Sequence, residues 1–244
     1  MRVSLIQMEI RDFESNLKKA ERLILKSFNE FKPDFICLPE YFSVTSLEEP
    51  IEEIYERTFY PTISLLEEIS EKLGIYIVGG TVIEKEKDKY YNTAFLFKNG
   101  EILGKYKKIH ITDKEREKGL EAGKDFFVYD SGHARIGILI CADILYPETV
   151  KKLAVMGADV IFLPISLPSE DHPPVTGHPA SVKMARENSL FILKNACLGL
   201  SSRGKIIGSK SAIVSPWGIV REAEKENKEE IVSAELDLYK FRKR

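Results

Sequence analysis

The stretch Arg135–Glu148 reads RIGILICADILYPE, and the rest of the chain can be arranged around it. Residues 136–140, IGILI, are apolar without a polar interruption, which is the pattern of a short strand buried on both faces. Cys141 follows this strand directly. Pro147 and Glu148 then indicate a helix start, because proline fits the first helical turn and an acid there complements the helix dipole. The stretch therefore predicts a strand, a cysteine in a tight turn, and a helix.

Cys141 has two interpretations in this setting. A cysteine after an apolar strand is most often a small, buried hydrophobic residue. A thiol at the end of a rigid strand can instead serve as a nucleophile, because nearby backbone N–H groups can lower its pKa and bind a developing oxyanion. The choice depends on which side chains lie at the neighbouring strand ends.

The composition predicts an ordinary globular enzyme or binding protein. The chain has 244 residues, of which 43% are hydrophobic and 30% charged. Nothing that resembles a linker divides it, so we expect a single domain over residues 1–244. A formal net charge of −2 gives no electrostatic case for nucleic acid or an anionic membrane as partner. We find no signal peptide and no apolar run of membrane-spanning length.

The cysteines and histidines do not suggest a metal site or a disulfide. Cys37, Cys141 and Cys197 are an odd number of thiols, lie far apart, and form no C-x-x-C pair. This pattern favours a reducing cytoplasm, with Cys37 and Cys197 buried in the core. The four histidines lack metal-ligand spacing. We expect no metal and no cofactor.

Apolar periodicity predicts strands and helices that alternate early in the chain, with hairpins mixed in later. Asn99-Gly100 between two apolar runs is a strong hairpin signal. We expect an acidic loop with a short helix at Ser43–Tyr60, and a proline-rich loop at Leu167–Pro179. The order of elements favours an α/β layered fold whose sheets contain both strand directions.

Two more side chains with useful chemistry follow apolar segments. Glu40 comes just after the strand predicted at Phe35–Leu38, and a partly desolvated carboxylate there could shuttle a proton. Lys108 lies in the segment KYKKIH at 105–110. Alone, Glu40 could be a surface residue and Lys108 part of a solvated basic stretch. Together with Cys141, they predict a catalytic site at the ends of strands.

Three segments carry a resemblance to a known family: LPE at 38–40, KYKKIH at 105–110, and GILICADILYPE at 137–148. They resemble the signature segments of the nitrilase superfamily of carbon-nitrogen hydrolases, and further similar positions cover almost the whole chain. The resemblance implies a four-layer α-β-β-α sandwich with mixed sheets and a homodimer or higher oligomer. It also implies hydrolysis of a non-peptide carbon–nitrogen bond in a small molecule, without a cofactor.

The resemblance further implies a Glu-Lys-Cys triad. Glu40 is similar to the family's general base, and Cys141 to the nucleophile that forms a thioester. The family's lysine stands two residues before a histidine, so His110 selects Lys108 rather than its neighbour. The ammonium of Lys108 would stabilise an oxyanion, with the backbone N–H of Ala142 as a second donor.

Many members of the family add a second glutamate that orients the lysine. Counting seven residues on from Lys108 selects Glu115, whereas counting back from Gly123 falls between Glu115 and Glu117. We expect Glu115. Two departures from the family's pattern concern specificity: Ala142 stands where many relatives have an aromatic residue, and Leu167-Pro168 stands where relatives often have a tryptophan.

The substrate stays open at this point. A small carboxamide that releases ammonia is the first choice, with an N-carbamoyl amino acid, a ureido compound or a nitrile as alternatives. A non-catalytic interaction protein on the same fold is the rival interpretation. A substrate with a carboxylate would need a basic residue near the pocket, for which Arg203 and Lys205 are candidates. His172 and His178 could line that pocket.

Overall fold

The computed structural model describes residues 1–44, 47–166, 178–200 and 206–238. These ranges contain fifteen β-strands and five α-helices. The strands are β1 (Arg2–Glu9), β2 (Phe35–Cys37), β3 (Tyr76–Val78), β4 (Val82–Glu86), β5 (Lys89–Lys98), β6 (Glu101–Lys107), β7 (Val128–Asp130), β8 (Arg135–Ile138), β9 (Val160–Pro164), β10 (Phe191–Asn195), β11 (Cys197–Leu200), β12 (Ile206–Gly208), β13 (Ala212–Ser215), β14 (Gly218–Glu222) and β15 (Glu230–Glu235). The helices are α1 (Phe13–Phe31), α2 (Ile51–Leu73), α3 (Asp113–Glu117), α4 (Pro147–Val155) and α5 (Pro179–Asn188).

The strands form two sheets, and each sheet is mixed. The first sheet has the order β12-β11-β1-β2-β3-β5-β4, with β15 paired to β1 and β6 paired to β5. The second has the order β14-β13-β10-β9-β8-β7. In the first sheet β1 and β2 are parallel while β5 and β6 are antiparallel. In the second, β8 and β9 are parallel while β13 and β14 are antiparallel.

The two sheets pack face to face, and helices cover their outer surfaces. Side chains of β1 alternate between two clusters, with Leu5 in the core between the sheets and Ile6 in the core beneath α1 and α2. The inner core joins both sheets: the rings of Phe35 and Phe162 stack with centroids 5.6 Å apart. Helices α4 and α5 contribute residues such as Leu153 to the second sheet's packing. The predicted α-β-β-α sandwich with mixed sheets is confirmed.

The predicted hairpin is also present. Strands β5 and β6 are joined by Asn99 and Gly100, whose φ angles of 52° and 79° are both in the left-handed region. Asparagine and glycine tolerate this region, which suits the natural twist of a two-residue hairpin. The hairpin places the end of β6 beside β5, and the backbone N–H of Lys108 donates to the carbonyl of Asn92 at 2.9 Å.

The prediction for Ser43–Tyr60 was wrong in one respect. Helix α2 begins at Ile51, so most of the expected loop is the first half of a long helix. The apolar side chains of this half belong to a small separate cluster, in which Ile54 packs against Ile83 of β4. The acidic residues of this half face solvent, and they make the helical spacing of its apolar residues hard to recognise in the sequence. Pro61 lies inside the helix on its exposed side. Of the predicted loop Leu167–Pro179, residues 167–177 lie outside the described ranges.

The three thiols are all free. Cys37 and Cys197 are buried as predicted, and Cys141 is partly exposed. No helix within the described ranges has the length and apolar character of a membrane span.

Candidate active site

Glu40, Lys108 and Cys141 follow strand ends in both sheets. Glu40 comes after β2 and Lys108 after β6 in the first sheet, and Cys141 comes after β8 in the second. The two charged residues are almost completely buried, with exposed fractions of 1% for Glu40 and 2% for Lys108. The structure thus brings together two buried, oppositely charged side chains.

The Glu40 carboxylate is held by three donors. Its Oε1 accepts from Lys108 Nζ at 2.9 Å and from Asn92 Nδ2 at 2.8 Å. Its Oε2 accepts from the backbone N–H of Ser166 at 2.8 Å. Ser166 follows β9 of the second sheet, so this last bond ties the carboxylate across both sheets.

Gly80 allows the Glu40 segment to take this position. Its φ is +59°, and a Cβ on it would lie 2.2 Å from the carbonyl oxygen of Pro39. Any side chain would therefore collide with the backbone immediately before Glu40. A glycine is required at this close approach.

Lys108 lies between two carboxylates. Its Nζ is 2.9 Å from Glu40 Oε1 and 2.9 Å from Glu115 Oε2. Burial alone would lower the pKa of Lys108, but the negative charges of Glu40 and Glu115 outweigh it and raise the pKa. The ammonium therefore stays charged throughout the physiological range of pH.

Glu115, and not Glu117, is the glutamate that reaches Lys108. Glu115 is buried in the first turn of α3, where it forms a reciprocal capping box with Thr112. The Tyr41 hydroxyl donates to its Oε1 at 2.7 Å. Burial would raise the pKa of Glu115, but Lys108 and the Thr112 backbone N–H lower it. Glu117 is exposed to solvent.

The turn at Cys141 is strained, and its thiol is not acidic. Cys141 has a φ of 44°, a left-handed conformation that costs energy for any residue other than glycine. Burial and the Glu40 carboxylate raise the pKa of the Cys141 thiol to about 12, against lowering by Lys108 and the Ser166 N–H. A backbone N–H group, that of Ser166, lowers this pKa as the sequence suggested, but burial and the neighbouring Glu40 carboxylate outweigh it. A thiol in this state needs a base to become a nucleophile.

Asn92 is a site residue that sequence reasoning missed. Its Nδ2 donates to Glu40 Oε1 at 2.8 Å and to Glu115 Oε1 at 2.7 Å. The amide thus assists Lys108 in holding two carboxylates close together. The available signal was the hairpin register, which places Asn92 on β5 next to the end of β6.

Asp143 was also missed, although it lies two residues after the cysteine. Its buried carboxylate accepts from the Tyr106 hydroxyl at 2.8 Å and from the Ile140 N–H at 3.0 Å through Oδ2. Its Oδ1 accepts from the His110 N–H at 2.8 Å and lies 2.9 Å from His110 Nδ1. Asp143 therefore fixes the turn that carries Cys141 to the segment that carries Lys108.

We expect Asp143→Asn to destabilise the protein by about 2–3 kcal/mol, because the asparagine NH2 group would face donors that the carboxylate now satisfies. We also expect a lower kcat, since the turn at Cys141 loses its anchor. Urea unfolding and steady-state kinetics measure both effects. Asp130→Asn is the matched control, since Asp130 is exposed and its side chain, among the residues that the structure describes, accepts only from the Gly132 N–H in a turn. Equal urea midpoints for the two variants would contradict this role of Asp143.

A pocket of about 320 Å³ opens beside Cys141. Ala142 lines it at the start of the 3₁₀ turn Cys141–Leu145, and His178 lines it as predicted. The remaining lining residues are Ile144, Leu145, Leu163, Ile165, Ser166, Pro179, Ala180, Ser181, Lys194 and Ser209. The predicted candidates His172, Arg203 and Lys205, and the Leu167-Pro168 pair, lie outside the described residues. Within the described ranges, no group of three or more His, Cys, Asp or Glu side chains is arranged to hold a metal.

Comparisons with known proteins identify the family of the chain. The carbon-nitrogen hydrolase family model matches residues 2–243. A nitrilase from Pyrococcus abyssi is 34% identical over 248 residues, which cover 99% of this chain and 92% of that protein. A 2-oxoglutaramate amidase from Bacillus subtilis is 31% identical, over 91% of this chain and 85% of that protein.

A solved structure has the same fold over nearly the full length. It is Nit3 from Saccharomyces cerevisiae, described as a member of branch 10 of the nitrilase superfamily. The TM-score is 0.87 at 26% identity, and the match covers 99% of this chain and 92% of Nit3. With a family match along almost its entire length, this chain belongs to the carbon-nitrogen hydrolases of the nitrilase superfamily.

Proposed function

We propose that this protein is an amidase that hydrolyses small carboxamides and releases ammonia through a thioester on Cys141. The observation that carries the proposal is the Lys108 ammonium, which is held between two buried carboxylates next to a protonated thiol. The amidase named among the relatives supports an amide as substrate. In this proposal residues 1–244 act as one domain.

The first step is attack of the thiol on the amide. Glu40 takes the proton from Cys141 as the sulfur forms a bond to the amide carbon, and the carbonyl electron pair moves to oxygen. The Lys108 ammonium and the backbone N–H of Ala142 stabilise this oxyanion. The raised pKa of Lys108 suits this role, because the ammonium keeps its proton while negative charge develops beside it. Glu115 and Asn92 position Lys108 and Glu40.

The later steps return the site to its starting state. The oxyanion collapses, the carbon–nitrogen bond breaks, and the protonated Glu40 gives its proton to the leaving nitrogen. Ammonia departs and a thioester stays on Cys141. Glu40 then takes a proton from water as the water attacks the thioester. The carbon–sulfur bond breaks, Glu40 gives its proton to the leaving Cys141 sulfur, and the carboxylic acid leaves.

An acyl-trapping experiment tests the proposal. Ammonia release is measured for a panel of small amides, N-carbamoyl amino acids and nitriles, and the reacting enzyme is quenched in acid for peptide mass analysis. We expect release from amides, and a mass gain equal to the acyl group on the Cys141 peptide only. The peptides with Cys37 and Cys197 are internal controls. If only nitriles or only carbamoyl compounds release ammonia, the substrate assignment moves to that class. If no compound releases ammonia and the Cys141 peptide gains no mass, a non-catalytic protein is favoured.

We also propose a cytoplasmic homodimer or higher homo-oligomer. Free thiols at all three cysteines support a reducing compartment. Large apolar side chains near α4 support a subunit contact, since Leu145 is 68% exposed and Val155 is 76% exposed. Sedimentation of the purified protein measures the oligomeric state directly.

A further inference from the structure

Ser209 and Lys194 form a hydrogen-bonded pair in the pocket beside Cys141. Lys194 lies on β10, Ser209 follows β12, and both side chains line this pocket. The Oγ of Ser209 is 3.0 Å from the Nζ of Lys194, and Ser209 is buried. A hydroxyl within hydrogen-bond reach of an amine is the arrangement of a nucleophile and its general base.

Lys194 differs from Lys108 because it can lose its charge. Among the residues that the structure describes, no carboxylate forms an ion pair with Lys194. Burial lowers the pKa of Lys194 to about 8, although Cys141 and Glu222 oppose this shift. A large fraction of Lys194 is therefore a neutral amine in mildly alkaline solution. The neutral amine has a lone pair that accepts the hydroxyl hydrogen of Ser209, whereas an ammonium group can only donate.

His178 fixes the orientation of the Lys194 amine. Its Nδ1 is 3.1 Å from the Nζ of Lys194, and its Nε2 is 3.0 Å from Oε2 of Glu222. Burial and Lys194 lower the pKa of His178, so the ring is neutral, Nε2 donates to Glu222, and Nδ1 accepts from Lys194. The φ of His178 is 50°, a strained backbone conformation of the kind that occurs at functional sites. The base therefore has an orienting group, which is the third member of such a site.

We propose that Ser209 is a second nucleophile in this pocket, with Lys194 as its general base, and that the pair hydrolyses aryl esters of short acyl groups. This activity goes beyond the proposed amide hydrolysis at Cys141 and does not rest on it. The substrate class follows from the leaving group, because an aryl oxide departs as a stable anion and needs no proton donor. The pocket volume of about 320 Å³ and the apolar side chains of Leu163 and Ile165 suit a short acyl chain.

The reaction has two steps. In the first, the Oγ of Ser209 forms a bond to the ester carbonyl carbon while the Lys194 amine takes the hydroxyl proton. The bond from that carbon to the aryl oxygen breaks, and the aryl oxide leaves with the electron pair. In the second step Lys194, after releasing its extra proton to solvent, takes a proton from water as the water attacks the acyl carbon. The bond to Oγ breaks, Lys194 returns the proton to Oγ, and the carboxylic acid leaves.

Hydrolysis of p-nitrophenyl acetate by the Cys141→Ala variant tests this proposal, because the thiol is then absent. The assay is run near the pKa of Lys194, and the reacting protein is quenched in acid for peptide mass analysis. We expect saturable release of nitrophenolate and a mass gain of one acetyl group on the Ser209 peptide. Adding Ser209→Ala or Lys194→Met to this variant should lower kcat/KM by about 10²-fold or more, the effect of losing a nucleophile or its general base.

Ser215→Ala in the Cys141→Ala background is the control for the loss of a buried serine hydroxyl. Ser215 donates to the Gly218 carbonyl in the turn after β13 and does not line the pocket, so this variant should keep the ester activity. Equal rates with and without the Ser209 hydroxyl would overturn the proposal, and so would an acetyl group on Lys194 in place of Ser209.

Peptide mass also covers the case in which a double variant fails to fold. The Cys141→Ala protein then decides alone, and an unmodified Ser209 peptide overturns the proposal. Ammonia release from amides by the wild type is measured separately. The amidase proposal can therefore fail while the ester activity at Ser209 stands, and the reverse outcome is equally visible.

Discussion

Replacing Cys141 by alanine is expected to abolish turnover, lowering kcat by about 10⁴-fold or more while the protein stays folded. The other thiols cannot substitute for it, because Cys37 and Cys197 are buried in the core and neither lines the pocket. Alanine keeps the Cβ of cysteine, so the left-handed turn at residue 141 is strained to the same degree. Ammonia release under saturating amide and a thermal unfolding curve measure the two quantities.

Cys197→Ala is the control for the loss of a thiol. Cys197 belongs to the core beneath α1 and α2 and does not line the pocket, so this variant should keep most of the wild-type kcat. Alkylation by iodoacetamide gives a second readout, in which one reactive thiol should disappear in Cys141→Ala and remain in Cys197→Ala. Turnover in Cys141→Ala within tenfold of the wild type would rule out the thioester route.

Replacing Lys108 by methionine is expected to damage both stability and catalysis. Methionine fills a similar volume but leaves Glu40 and Glu115 buried without a cation, which should cost about 3–5 kcal/mol of the free energy of unfolding. Loss of the oxyanion donor should lower kcat by a further 10²- to 10³-fold, roughly the effect of removing such a donor. Urea unfolding and steady-state kinetics on the same samples give both numbers.

The pH dependence of the free energy of unfolding separates a charge effect of Lys108→Met from a packing effect. In the wild type, the lowered pKa of Glu115 contributes stability above its unfolded pKa near 4.5, and this contribution is lost as pH falls through the folded pKa. In Lys108→Met, one carboxyl of the pair should have a raised pKa, so that the folded state loses stability as pH rises through it. The stability difference between the two proteins should therefore be largest near neutral pH and smaller in acid. A difference that is constant with pH would indicate lost packing alone.

Lys107→Met provides the matched control for Lys108. The Lys107 ammonium pairs with the half-exposed Glu86 at 2.7 Å and lies over the Tyr91 ring. Such a contact near the surface contributes about 1 kcal/mol or less. Similar losses of unfolding free energy and kcat in Lys107→Met and Lys108→Met would contradict the distinction between these neighbouring lysines.

Sequence patterns predicted those strands, helices and turns whose conformation depends on residues close together in the chain. The strand before Cys141, the helix that starts at Pro147 and the hairpin at Asn99-Gly100 all depend on residues that are neighbours in sequence, and all three are present. The resemblance to a family supplied the layered architecture. Glu40, Lys108 and Glu115 could be selected by motif spacing, and the structure places them in contact.

Other features depend on contacts between distant segments, which spacing does not reveal. Asn92 matters because strand register places it beside both carboxylates. Lys194 lies in an apolar strand sequence, and only the packing of β10 beside β9 and α5 places it at the pocket instead of the solvent. The start of α2 was missed because its apolar contact, Ile54 with Ile83, is made with a strand of the first sheet.

The Glu40–Ser166 hydrogen bond links a buried carboxylate of one sheet to the backbone of the other. Asp143 and Tyr106 form a second such link, and Asn195 donates across the same interface to the Cys37 carbonyl at 2.7 Å. Neither sheet alone supplies Glu40, Lys108 and Cys141, which the proposed mechanism requires together. During folding, activity can arise only after the halves of the sandwich have docked in their final register. Enzyme activity is therefore a late and sensitive reporter of tertiary assembly in this protein, whereas its secondary structure can form earlier.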